Sequence, residues 1–329
     1  MASEPGLLIT GGLGFVGSHF ARAAAEAGRR IVVVDDFSGR SAARPPPPLP
    51  PGHTLVRGDI ADTGLVTRLC REHAIEALVH FAGKIQVGES VRRPELYFDV
   101  NLTRSLSLLH AVTQAGVQKV VFSSTAAVYG VPQRVPIAET AVTAPVNPYG
   151  CSKLAFEWAL RSYEVAHGLR WAALRYFNAA GAHPDGTLDE AHEPETHLIP
   201  LVLDAALQRR PPVTVFGTDY PTADGTCVRD YIHVCDLARA HLLALARLSA
   251  SEVVGPLNLG AGRGYSVREV LAAAAQLLGR PVPHTFGAAR AGDPPALIAA
   301  ADQAQQKLGF VTERSELPVL LEDALRARR

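Results

Sequence analysis

The sequence predicts a doubly wound α/β fold: a parallel sheet with helices on both faces and a smaller, interleaved C-terminal α/β lobe. Three observations predict it. Short apolar runs alternate with Ala-rich or amphipathic stretches through the first half, a glycine-rich turn follows the first run, and the alternation breaks near residue 178. Repeated strand–helix units lay parallel strands side by side, because each crossover helix must cover a sheet face.

Leu7-Leu8-Ile9, Ile31 to Val34, Leu78-Val79 and Val120-Val121-Phe122 are continuous apolar runs, as expected of strands buried on both faces. Phe20 to Ala27 and Asp62 to His73 are long enough for crossover helices. Arg44 to Pro51 is dominated by proline, which fixes φ and removes backbone donors, so an exposed loop is expected after the second strand. Ala179 to Thr196, rich in Gly, Pro, His and acids, reads as a long loop. Pro200 to Arg210 reads as a helix that Pro211-Pro212 cannot continue. Val213 to Phe216 and His284 to Phe286 read as short strands, and Pro256 to Gly262 as one more strand of the main sheet. Ser266 and Glu269 form a capping box that opens a helix through Leu278, while the apolar spacing of Leu237 to Leu248 is a packing face. The expected division is a nucleotide-binding domain at 1–178, to which 230–262 return, and a substrate lobe mainly at 179–329.

Lys plus Arg and Asp plus Glu each number 32, so the formal charge is zero and no broad field attracts nucleic acid or an anionic membrane. No run reaches the length of a membrane span, and the first residues do not read as a leader, so a cytoplasmic protein is expected. Cys70, Cys151, Cys227 and Cys235 form no C-x-x-C pair and are expected as free thiols. Without secretion, the acceptor-like Asn101-Leu102-Thr103 stays bare. His192 to His197 superficially suggests a zinc helix, but it has one residue too many and Pro194 breaks the helix, so no metal is expected.

Leu8-Ile9-Thr10 runs into Gly11-Gly12-Leu13-Gly14-Phe15-Val16-Gly17, which satisfies G-x-G-x-x-G through Gly12, Gly14 and Gly17, and also the wider spacing Gly11, Gly14, Gly17. Glycines there let the backbone approach a pyrophosphate, and the helix behind offers unpaired N–H groups and its positive end. With a strand before and a helix after, the pattern argues for a Rossmann-type dinucleotide site. Asp35 ends the second strand at about the expected interval for an acid that accepts from the adenosine ribose, which favours NAD over NADP. Asp36 is the adjacent alternative, and Arg40 is the nearby cation that could instead receive an extra phosphate.

Tyr149 and Lys153 lie four residues apart in Tyr-Gly-Cys-Ser-Lys, on one face of a helix. A neighbouring ammonium and a positive nicotinamide ring would stabilise the phenolate, so Tyr149 could take a proton from a sugar hydroxyl. Upstream, Val120-Val121-Phe122 delivers Ser123-Ser124-Thr125 at the carboxyl end of its strand, with Thr125 or Ser124 as a third hydroxyl.

These blocks resemble the UDP-galactose 4-epimerases, extended short-chain dehydrogenases. Further matching blocks are Gly58-Asp59-Ile60, Val87-Gly88-Glu89-Ser90, Arg175-Tyr176-Phe177-Asn178, Gly181-Ala182-His183-Pro184, Asp219-Tyr220-Pro221-Thr222, Val228-Arg229-Asp230-Tyr231-Ile232-His233 and Asn258-Leu259-Gly260-Ala261-Gly262. The resemblance covers nearly the whole chain. It implies a bound NAD, with Tyr149 as base and Lys153 on the nicotinamide ribose. Around NAD it sets Gly11, Gly14, Phe15, Val16, Gly17, Asp35, Asp36, Asp59, Ile60, Phe81, Ala82, Gly83, Lys84, Asn101, Tyr176 and Phe177. Around the UDP-sugar it sets Asn178, His197, Leu198, Phe216, Arg229, Arg290 and Asp293. It further implies a redox-neutral reaction in which hydride leaves C4, the 4-keto sugar turns about its diphosphate, and hydride returns to the other face.

The sequence departs from the family at four points. Thr125 stands for the usual serine, Lys84 comes one position early, Asn101 lacks the following Gly-Thr, and His197 replaces an asparagine. Leu297 falls where members restricted to simple hexoses carry tyrosine, which implies room for N-acetylated sugars. A dehydratase of the same superfamily needs an acid pair after the strand-end Thr, where this chain has Ala126-Ala127. A UDP-pentose epimerase and a non-catalytic NAD-binding regulator are the other readings, although the latter needs neither Tyr149 nor Lys153. The resemblance also implies a homodimer paired through the helices Arg104 to Ala115 and Tyr149 to Ala166.

Overall fold

The strand order of the main sheet locates the crevice in which a ligand sits. The computed structural model describes residues 5–39, 49, 51–250, 253–290 and 292–329. The first half runs β1 (Gly6–Thr10), α1 (Phe15–Glu26), β2 (Ile31–Asp35), β3 (Thr54–Arg57), α2 (Thr63–Glu72) and β4 (Ile75–His80). It continues through α3 (Val87–Arg92), α4 (Pro94–Phe98), a π-helical turn at Asp99–Thr103, α5 (Arg104–Gln114), β5 (Lys119–Thr125), α6 (Pro148–His167) and β6 (Arg170–Tyr176).

The second half contains β7 (Asn178–Ala180), α7 (Leu198–Ala206), β8 (Val213–Phe216), β9 (Val228–Arg229), β10 (Tyr231–His233) and α8 (Val234–Ser249). After these come β11 (Gly255–Leu259), β12 (Tyr265–Ser266), α9 (Val267–Leu278), β13 (His284–Gly287), β14 (Ala296–Leu297), α10 (Asp302–Leu308) and α11 (Leu317–Arg326).

Seven parallel strands form the main sheet in the order β11-β6-β5-β4-β1-β2-β3. From β1 the chain builds one way through β2 and β3, then the other way through β4, β5, β6 and β11. The reversal falls between β1 and β4, and ligands of open α/β sheets bind at that switch point, beyond the strands' carboxyl ends. Side chains alternate between the faces. Leu7 and Ile9 pack with Phe20 and Ala24 of α1 and Leu237 and Leu245 of α8. Leu8 packs the other way, with Val66 and Leu69 of α2, Leu108 and Val112 of α5 and Phe156 of α6. Both faces being covered explains the continuous apolar runs. A third core gathers α7, α9 and α11 around Val213 and Val215.

Most expected elements stand where the sequence put them, with shifts that have local causes. α1 begins at Phe15, five residues early, directly behind the glycine turn. α7 covers Leu198–Ala206 rather than Pro200 to Arg210, because Gln208 adopts φ 60° and the Arg209 N–H turns back to the Asp204 carbonyl. Strands β8 and β13 pair with each other, in parallel. The Ser266 and Glu269 capping box makes both of its bonds. Arg40 and the proline run, apart from Leu49 and Pro51, lie outside the described residues. Among the described residues no helix is long and apolar enough to cross a membrane.

Candidate active site

The glycine turn is packed too closely for side chains. Gly11 has φ 68°, and a Cβ there would press on the backbone of Ala82, while one on Gly17 would collide with the Gly11 carbonyl oxygen. The first turn of α1 therefore stays open to an anion at its N-terminus. Asp35 holds this turn from below: its carboxylate accepts from the Leu13 N–H at 3.0 Å and the Phe37 N–H at 2.8 Å. A carboxylate offers about four acceptor positions, so capping the turn does not by itself exclude accepting from a ribose. Asp36 accepts from the Ser38 N–H, and exposed Asp59 takes the Ala61 N–H and the Arg104 guanidinium beside buried Ile60. These features fit a dinucleotide: a cradle that a Cβ would fill, a helix end, and carboxylates at the ends of β2 and β3.

On the far wall Phe81 donates to the Thr10 carbonyl, which sets Ala82 and Gly83 against the glycine turn. A Cβ on Gly83 would stand 2.9 Å from Asn101 Oδ1 and 3.3 Å from Lys153 Nζ. Buried Asn101, on the π-helical turn, accepts from the Lys84 N–H at 2.7 Å and donates to the Lys84 carbonyl at 2.9 Å. The early lysine is thus held by its backbone, and Asn101 keeps its place without the Gly-Thr that usually follows.

Tyr149 and Lys153 lie in the first turns of α6, capped by Asn147, whose Oδ1 accepts from the Gly150 N–H at 2.8 Å. The positive end of a 20-residue helix favours a phenolate at that position. Lys153 Nζ donates to the Ser123 carbonyl at 2.9 Å and lies 4.8 Å from the centre of the Phe122 ring. Burial lowers its pKa from 10.5 to about 8. Burial pushes the Tyr149 phenol up, and the Thr125 hydroxyl pulls it partly back.

The two strand-end hydroxyls go to different places. Thr125 neighbours Tyr149, whereas Ser124 donates to Glu157 Oε1 inside the protein at 2.5 Å. Glu157 pairs with Arg175 at 2.6 Å, Arg175 donates to the Tyr129 hydroxyl, and Tyr129 donates to Asn258 Oδ1. Tyr176 sends its hydroxyl to His241 Nε2, so only its ring and backbone are left for the cofactor side. Sequence reasoning missed this network, because Glu157 and Arg175 carry no local pattern.

The other expected substrate residues fall in two groups. Leu297 of β14 is the register partner of Arg229 on β9 and packs with Phe177 on the Ala126–Tyr129 turn that follows Thr125. Arg229 forms an ion pair with Asp293, and the Arg290 guanidinium stacks 4.1 Å from the centre of the Phe216 ring. Asn178 is tied by its N–H to the Asp230 carbonyl. Fully buried Asp230 accepts from the N–H groups of Ala261, Gly262 and Ala299, which fastens β9 and β10 to the end of β11. His197 and Leu198 begin α7, but the His197 ring turns to Glu190, where His192 and Glu195 also converge. Residues 192–197 are not helical, in keeping with Pro194, and a loop brings these four side chains together.

A profile of the NAD dependent epimerase/dehydratase family matches residues 7–260. The UDP-glucose 4-epimerase of Azospirillum brasilense is 49% identical over 325 residues, covering 98% of this chain and 92% of its own. The crystal structure of UDP-glucose 4-epimerase from Brucella ovis in complex with NAD is similar at TM-score 0.91 and 46% identity, covering 98% of this chain and 97% of that one. That of UDP-glucose 4-epimerase from Bifidobacterium longum in complex with NAD+ and UDP is similar at TM-score 0.90 and 36% identity, with coverages of 98% and 97%. A glycine cradle at the switch point, a Tyr–Lys pair at the end of β5 and full-length likeness to these proteins lead to one assignment: the chain belongs to the NAD dependent epimerase/dehydratase family, alongside the UDP-glucose 4-epimerases.

Proposed function

We propose that this protein interconverts UDP-galactose and UDP-glucose by NAD-dependent, redox-neutral epimerisation at C4. The observation that carries the reading is the convergence of Tyr149, Lys153 and Thr125 beside the wall of the dinucleotide cradle. Bound NAD supplies a hydride acceptor that also gives the hydride back. Tyr149 takes the proton of the C4 hydroxyl and returns it, with the Lys153 ammonium and the α6 N-terminus stabilising its phenolate. The Thr125 hydroxyl, beside the Tyr149 phenol, orients the C4 hydroxyl. Arg229 and Arg290 offer forked donors to the diphosphate, and Asp293 and Asn178 offer contacts to ribose and phosphate, which leaves the hexose free to turn over.

Leu297, packed near Phe177 and the turn after Thr125, is the residue nearest in sequence logic to sugar choice, and its lack of a phenol ring supports acceptance of UDP-N-acetylhexosamines as well. A homodimer through α5 and α6 is supported by Trp158 and Val165, which are 62% and 85% exposed on α6 and seven residues apart. The cytoplasm is the compartment in which the four free thiols would persist. The division into a cofactor domain at 1–178 with 230–262 and a UDP-sugar lobe at 179–329 is supported by the separate third core.

The test is turnover of UDP-galactose by the purified chain, with UDP-xylose and UDP-N-acetylgalactosamine alongside. UDP-glucose should form without stoichiometric NADH. Net NADH accumulation, or activity on the pentose alone, overturns the reading.

A further inference from the structure

The loop between β7 and α7 carries a side-chain cluster that the epimerase chemistry does not use. Glu190, His192, Glu195 and His197 each aim one donor atom at a common point, and all four atoms lie within 4.8 Å of one another. His192 Nδ1 stands 3.0 Å from Glu190 Oε1 and 3.8 Å from Glu195 Oε1, and His197 Nδ1 stands 3.9 Å from Glu195 Oε1 and closer still to Glu190 Oε1. The Glu190 carboxylate is almost wholly buried, with 2% of its side chain exposed. Close as it is to Glu190, buried His192 Nδ1 misses hydrogen-bond geometry and is left unsatisfied.

We propose that these four residues form a structural site for a divalent transition cation of the zinc type. Two imidazole nitrogens and two carboxylate oxygens are a donor set that zinc takes, at about 2.0–2.2 Å per bond. Tetrahedral bonds of that length space the donor atoms about 3.4 Å apart. Three of the separations, 3.0, 3.8 and 3.9 Å, bracket that value, and an ion would have to part the fourth pair, His197 and Glu190, which stand closer than tetrahedral ligands do. Four protein ligands leave no open position, which makes the site structural rather than catalytic.

Its placement gives the ion a definite task. One end of the loop carries Asn178 of β7, and the other is the N-cap of α7, His197 itself, followed by Leu198. The His192 ring packs edge-on 6.3 Å from Phe15, the first residue of α1 behind the glycine turn. A cation here pins the loop at the start of α7 and couples it to the base of the cofactor cradle. The missing helix that argued against a metal does not bear on this arrangement, since Glu190 and Glu195 lie outside the His-Glu-x-x-His scheme.

The test uses the untagged full chain, stripped with a chelator and titrated with zinc against a chromophoric competitor. One zinc per chain should bind, and the thermal midpoint should rise with zinc by several degrees. Glu190→Gln and His192→Gln should each weaken binding more than about tenfold while circular dichroism stays native. Should either variant fail to fold, cobalt in the wild type decides: visible d–d bands without thiolate charge transfer place the metal on nitrogen and oxygen ligands. Substoichiometric zinc in the wild type at about 10 μM free metal overturns the proposal and leaves a His–Glu ion-pair cluster. Unchanged affinity in both folded variants, or a cobalt–thiolate band, overturns it equally.

Discussion

Ser124 donates its hydroxyl to Glu157 at 2.5 Å in the protein interior, while its neighbour Thr125 faces Tyr149. Adjacent residues of a strand point to opposite faces, so one hydroxyl goes to the framework and the other to Tyr149. Thr125→Val should therefore lower turnover by about a hundredfold with little change in folding. Ser124→Ala should lower stability by about 1–3 kcal/mol, because a buried carboxylate loses a donor, and should leave turnover within a few-fold. Steady-state assays beside urea unfolding distinguish the two, and the opposite pattern would reassign the third hydroxyl.

Replacing Tyr149 with Phe removes the phenolic oxygen but keeps the ring against Tyr97, 6.4 Å away between centroids. Turnover should drop by about a hundred- to ten-thousand-fold with NAD still bound, as read from product formation and cofactor content. Near wild-type turnover would mean that another group is the base.

The pH profile should follow Lys153, whose pKa is lowered by burial from 10.5 to about 8. As pH rises through about 8 the ammonium loses its charge, the Tyr149 phenolate loses support, and kcat falls. Between about 8 and 10.5 the folded chain holds fewer protons than the unfolded one, so this group's contribution to stability increases with pH over the same window. Activity and stability thus move in opposite directions. Arginine stays charged throughout, so Lys153→Arg should lose the alkaline limb whatever its absolute rate. A limb that remains near pH 8 in that variant assigns it elsewhere.

Gly17→Ala places a methyl group onto the Gly11 carbonyl oxygen, which is backbone and cannot swing aside. A clash of this kind costs about 1–3 kcal/mol, and it falls on the turn proposed to cradle the pyrophosphate. NADH fluorescence titration should show affinity at least about tenfold weaker; unaltered binding would place the diphosphate away from this turn.

Leu297→Tyr tests the breadth of the sugar pocket. The added ring should depress UDP-N-acetylglucosamine turnover relative to UDP-glucose by about tenfold or more, the usual scale for a group gained or lost in a pocket. Equal loss on both sugars would show that Leu297 acts on folding and not on selection.

Features set by neighbours along the chain were legible in the sequence. β1, the glycine turn and α1 follow one another directly, as do Ser266 and Glu269 of the capping box and Tyr149 and Lys153 on α6. Asp35 was legible as an acid by its interval, but its grip on the Leu13 N–H spans 22 residues and left no local trace. β3 escaped notice because an edge strand is half exposed and lacks a continuous apolar run. The two-residue strands β9, β12 and β14 exist only through pairings with one another. His192 and His197 stood out in the sequence, but their meeting with Glu190 and Glu195 did not, because a loop, unlike a helix, has no period by which to read which side chains meet.

The edge strand β11 belongs to the main sheet yet is made of residues 255–259, far beyond β6, against which it pairs from Gly255↔Ala172 to Leu259↔Tyr176. The first half of the chain is therefore not a detachable module. A fragment ending at residue 178 would carry the bare hydrogen-bonding rim of β6 and lack α8, whose Leu237, Leu245 and Leu248 cover the apolar side of β1 and β5. Such an open rim invites pairing between copies, so excising the first half should yield aggregates rather than a small NAD carrier. A useful dissection would instead shorten loops of the second half and leave 230–262 in place.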